Sequence, residues 1–362
     1  MRLLKSEGAP QPRYYIHLLG IVAALMLGGC ASDFPDMAMQ RKVLEPWTEI
    51  TGAQTGMSPL GQPAPMNPPG AGYITLLRPA AMSAQGNDIY LLDTGLRRIF
   101  RYDRGQQTLT PFATTLSAEA GISIYAAPDT SVYVTDSARR QVLHFARDGT
   151  PLPPLISRGN LARPVSVTMD ERTGQILVAD GLYDQIITFN SWGTALNVIK
   201  PQHVLTIAAM AAGPDGIYVV DRLAKQVVVL GWDGRFRYAF GADATSEPGS
   251  IAVSRDNLVF VSDNFEHVIK VYSVQRAGNI TSDLADVFGQ PSRMASSSIR
   301  RQKKAGENVL LVAKIGGVGG APGSFNGIAG LSVADDLLFV ADSLNARVQI
   351  MLINPSALEV GK

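Results

Sequence analysis

The chain has 362 residues, 46% of them hydrophobic and 17% charged, with a formal net charge of +1 and a single cysteine. That length can bury a substantial core, and the balanced charge argues against a nucleic-acid binder. One thiol excludes any internal disulfide.

In chain order, residues 1–29 read as a signal segment. Arg2, Lys5 and Arg13 precede an apolar stretch from Ile16 to Leu27, broken only by His17 and Gly20. Its 12 residues are too few to span a bilayer and suit a signal-peptide core. The stretch ends in Leu27-Gly28-Gly29-Cys30, which resembles the lipobox of bacterial lipoproteins. The resemblance implies cleavage before Cys30 and a membrane anchor through lipid, palmitate included, on that cysteine. Ala31 and Ser32 follow rather than Asp, which by the sorting rule of enteric bacteria implies the outer membrane. Cleavage also removes Arg2, Lys5, Arg13 and Glu7, leaving a net charge of −1.

Residues 30–71 are expected to form a lipidated flexible tether. Pro59, Pro63, Pro65, Pro68 and Pro69 stand among glycines there, a composition that builds no core. Such a chain of about 40 residues reaches roughly 35 Å. Leu44 and Trp47 are readable as a fragment packed against the side of the folded domain. Residues 72–362 form that domain.

Six apolar runs ending in Asp organise the rest: Ile89 to Asp93, Val132 to Asp136, Ile176 to Asp180, Ile217 to Asp221, Val259 to Asp263 and Leu338 to Asp342. The Asp-to-Asp steps are 43, 44, 41, 42 and 79. Six places after each Asp stands a β-branched residue: Ile99, Val142, Ile186, Val227, Ile269 or Val348. Nine places after stands a large apolar one: Tyr102, Phe145, Phe189, Leu230, Tyr272 or Met351. A strand-rich repeat of this period predicts the blades of a β-propeller, stacked so that each blade's faces are covered by its neighbours. Each Asp is predicted to fix a turn by accepting backbone N–H groups. Ahead of each Asp strand lies a run of small residues, such as Ala80-Ala81-Met82-Ser83 and Ile207-Ala208-Ala209-Met210, suited to a crowded axis.

The 79-residue step has room for a degenerate seventh blade, but it is read as an insertion at about 276–308 between the third and fourth strands of blade 5, with Val309 to Ile315 as the fourth. The insertion carries Arg300, Arg301, Lys303 and Lys304, a candidate basic docking loop. The last blade lacks room for its outer strand. Tyr73 to Leu77 is expected to supply it and close the ring, with Ala357 to Val360 as the alternative.

The segments Val340 to Met351, Val134 to Phe145 and Ala212 to Leu230 resemble NHL repeats, so the resemblance implies an all-β, six-bladed NHL-like propeller over about Tyr73 to Asn354. That family includes binding scaffolds and some metal-dependent lyases, so the fold does not select an activity.

Catalytic signatures do not emerge. His144, His203 and His267 have no metal-ligand partner at close spacing. There is no Gly-x-Ser-x-Gly elbow, and Gly316 to Gly320 reads as a turn rather than a phosphate loop. No catalytic residue, metal or cofactor is therefore expected. The turns after the six Asp residues share one face, where Arg97, Arg140, Lys225 and His267 form the candidate partner face. The reading is a non-catalytic, membrane-tethered binding module for a protein or polysaccharide of the cell envelope. Its alternatives are an accessory lipoprotein of an export or secretion assembly, and a divalent-metal hydrolase or lyase at the channel mouth.

Overall fold

The computed structural model describes residues 43–55, 72–113, 123–276 and 307–354. They form six sheets arranged as a six-bladed β-propeller. In each blade, strands a to d run outward from the axis in antiparallel succession. Blade 1 is Pro79–Gln85, Asp88–Asp93, Arg98–Asp103 and Thr108–Ala113; blade 2 is Ile124–Ala126, Val132–Asp136, Gln141–Phe145 and Pro151–Leu155. Blade 3 is Pro164–Asp170, Gln175–Asp180, Gln185–Phe189 and Ala195–Ile199; blade 4 is Ile207–Gly213, Gly216–Asp221, Gln226–Leu230 and Phe236–Phe240. Blade 5 is Pro248–Val253, Leu258–Asp263, Val268–Arg276 and Glu307–Gly316. Residues 277–306 thus connect strands c and d of blade 5.

Blade 6 is built from both ends of the chain. Its strands a to c are Ile328–Ala334, Leu337–Asp342 and Arg347–Ile353, and its outermost strand is Leu44–Ile50. This corrects two expectations. The closing strand is Leu44–Ile50, with Leu44 opposite Ile353 and Ile50 opposite Val348, not Tyr73 to Leu77. The expected tether therefore contributes part of the ring. The segment hides this role because only its end residues, Leu44 and Ile50, are buried. Pro46 also interrupts the strand pattern, and the register shifts between Pro46 and Thr48. An outermost strand tolerates both features, since one of its edges needs no partner. Arg347 reinforces the closure by bonding Asp342 and Glu49, each at 2.8 Å.

Tyr73–Thr75 instead pairs with Gly52–Thr55, which runs parallel to the outer strand of blade 1. The proline-rich residues between these strands, like Cys30, the signal segment, the basic loop residues Arg300, Arg301, Lys303 and Lys304, and the alternative closing strand Ala357 to Val360, lie outside the described residues.

The apolar core divides into six clusters, one between each pair of neighbouring blades. The cluster joining blades 6 and 1 contains Phe339, Val348, Leu91 and Phe100. The β-branched residues six places after each Asp are all buried, as strand c requires to meet the next blade.

Candidate functional site

The six repeat aspartates are fully buried. Asp180 accepts the N–H groups of Ala162, Arg163, Leu182 and Tyr183. Asp93 does the same with Leu77, Arg78 and Leu96, and Asp221 with Leu205, Thr206 and Ala224. Each of these three carboxylates therefore binds two backbone segments, its own b–c turn and the d–a linker arriving from the preceding blade. Their work is structural: they hold both loops of one face at a fixed level.

Blade 5 modifies the pattern. Buried Lys270 bonds Asp263 at 2.6 Å and Glu266 at 2.8 Å. Burial would raise the Asp263 carboxyl, but the Lys270 bond and the N–H groups of Ser246 and Glu247 hold it below the usual carboxylate range. Glu266 is likewise lowered, burial being outweighed by Lys270 and Lys314.

Four residues after each Asp the backbone turns left-handed. Arg97, Arg140, Asp184, Lys225, His267 and Ala346 have φ of 54, 58, 47, 54, 54 and 53°. The four candidate partner residues therefore occupy one equivalent turn position, on the face shared by the b–c turns and the d–a linkers. Arg97, Arg140 and Lys225 are exposed. His267 is half-buried, and its Nδ1 accepts the N–H of Gly327. The other two histidines lie elsewhere: His144 stacks on Tyr133 at 4.5 Å, with burial holding its pKa below the usual value, and His203 packs against Phe236.

The sequence reading missed the most distinctive part of this face. Two residues after the Asp, blades 3 to 6 present Leu182, Leu223, Phe265 and Leu344, with 57, 68, 74 and 58% of their surface exposed. A large apolar residue inside a polar turn at a fixed offset is the signal that could have found them.

A channel of ≈ 680 Å³ runs along the axis, lined by the strands a of all six blades. Small residues such as Ala81, Ala126, Ala209, Ala252 and Gly330 keep it open. Serines on its wall join neighbouring blades. The Ser83 hydroxyl accepts the N–H of Ala126, Ser123 that of Val167, and Ser250 that of Leu331, while Ser166 exchanges bonds with both backbone groups of Met210. At the a–b end, Arg172 lies 4.5 Å from the Trp232 ring centroid, and the Tyr125 hydroxyl donates to Glu171. Among the described residues no group of three or more His, Cys, Asp or Glu could hold a metal ion.

No family model matches the chain, and no curated protein does. Solved structures do. A streptogramin B lyase aligns with a TM-score of 0.53 at 11% identity, covering 78% of this chain and 95% of that one. A structural-genomics protein of unknown function from Bacteroides thetaiotaomicron gives 0.56 at 11% identity, with 84 and 76% covered. Hydrazine synthase of Kuenenia stuttgartiensis gives 0.54 at 10%, with 80 and 100% covered. At such identity the likeness shows the propeller fold and nothing of activity.

Proposed function

We propose that the chain is a non-catalytic, NHL-type binding module of the cell envelope, anchored through lipid on Cys30 and docking its partner on the face of the b–c turns. The observation that carries the docking role is the row of exposed Leu182, Leu223, Phe265 and Leu344, each two residues after the buried Asp of four consecutive b–c turns. Leaving such side chains in water has no structural benefit, and covering each contributes up to about 1.5–3 kcal/mol. The lipobox-like Leu27 to Cys30 supports the anchor.

The position of the closing strand supports the choice of face. Leu44 stands opposite Ile353, at the end of strand c, so the chain joins the ring from the side of the c–d turns. Residues 31–43 span at most about 45 Å. An anchor at Cys30 thus draws the c–d side toward the membrane and leaves the b–c turns facing away.

Two experiments test the proposal. A photo-crosslinking residue at Leu223 should yield a discrete adduct in cells, whereas one at Asp233, on the opposite face, should not. Adducts at Asp233 alone would overturn the choice of face. Cys30→Ser should release the protein from membranes and abolish fatty-acid labelling, and undiminished labelling would overturn the anchor.

A further inference from the structure

The net charge of +1 conceals a strong separation along the axis. On the b–c face, the exposed cations over blades 1 and 2 are Arg78, Arg97, Arg139 and Arg140, and those over blades 3 and 4 are Arg158, Arg163, Lys200, Arg222 and Lys225. Against these nine, Asp243 and Glu247 are the exposed acids among the described residues of that face. The turn aspartates beneath it are buried, and those of blades 1, 3 and 4 spend their charge on backbone donors. On the opposite face the exposed acids Asp129, Asp148, Glu171, Asp233 and Asp256, with Asp335 and Asp336, outnumber Arg147, Arg172, Arg235 and Arg255. The apolar residues two places after the turn Asp lie over blades 3 to 6, so the cationic and apolar sectors overlap at blades 3 and 4.

We infer that the partner is a protein whose docking surface sets carboxylates around an aliphatic centre; this rests on the proposed role of the b–c face. Charge complementarity requires an acidic partner. Seven of the nine exposed cations are arginine, whose planar fork bonds a carboxylate through two parallel N–H groups. Protein interfaces are enriched in Arg and in aromatic residues and depleted in Lys, and this face sets seven exposed arginines against two lysines, with Tyr183 and Phe265 beside them. A lipid-docking face places Trp at headgroup level. The chain's three tryptophans lie elsewhere: Trp47 is on the outer strand of blade 6, and Trp192 and Trp232 are in c–d turns on the opposite face.

The test uses purified full-length protein and three synthetic helical peptides: one with a leucine face bordered by glutamate, one with lysine replacing glutamate, and one with serine replacing leucine. The Glu–Leu peptide should bind at least about tenfold more tightly than either control. Arg222→Glu with Lys225→Glu, in the turn that carries Leu223, should weaken it by about tenfold or more, as should Leu223→Ser with Phe265→Ser. Equal binding of the lysine peptide would overturn the inference. So would binding to phosphatidylcholine–phosphatidylglycerol vesicles that the same substitutions abolish, since the face would then serve a lipid surface. If the Leu223 crosslink persists while the Glu–Leu peptide fails to bind, the docking face stands and the acidic chemistry falls.

Discussion

Asp180 shows how one side chain serves a whole turn. Its carboxylate meets four backbone donors from two segments while excluded from water. Asp180→Ala would strand those donors, and denaturant unfolding should show a loss of about 3 kcal/mol or more. Lys270 extends the same logic to a charge. The folded-state pKa of Asp263 is depressed, so its contribution is present above the ordinary carboxylate pKa of about 4 and is lost as pH falls through the folded value. Lys270→Met should therefore be much less stable than the parent at neutral pH. The gap, measured by urea unfolding at each pH, should narrow as both proteins are acidified. A gap independent of pH would show that Lys270 acts only by packing.

At the scale of elements, the outer strand Leu44–Ile50 and the axial serines do separate jobs. The strand covers the outer edge of blade 6, buries Leu44 and Ile50 and brings Glu49 to Arg347. A chain lacking residues 31–42 should keep its melting temperature. One lacking residues 31–50 should melt roughly 10 °C lower, from lost burial and an opened strand edge. Similar melting of both truncations would show that the ring does not depend on this strand. The serines instead satisfy backbone groups on the inner strands of blades 2, 3, 4 and 6. Ser166→Ala removes both bonds to Met210 and should cost about 1–2 kcal/mol by denaturant unfolding.

At the scale of the molecule, blade-to-blade packing links the two chain ends through the cluster of blades 6 and 1. The closing strand enters that cluster through Ile50, so replacing Ile50 with Asp should raise hydrogen exchange in blade 6 and in strands a and b of blade 1 together, while blade 3 stays protected. Exchange confined to residues near Ile50 would show that the closing strand frays on its own.

The period of the Asp strands, the β-branched residue at the sixth place and the small residues of strand a were enough for the sequence alone to determine six blades. Each is a local rule repeated at fixed spacing, and strand pairing within a blade is short-range. The turn role of the aspartates was legible for the same reason. Leu44–Ile50 was not, because an outermost strand with one free edge needs little pattern, and its partner Arg347–Ile353 lies at the far end of the chain. Nor could the composition reveal the separation of charge. The nine cations are scattered between Arg78 and Lys225 in the sequence. They share a face because alternate loops of antiparallel strands emerge on the same side, a grouping that exists only once the ring has closed.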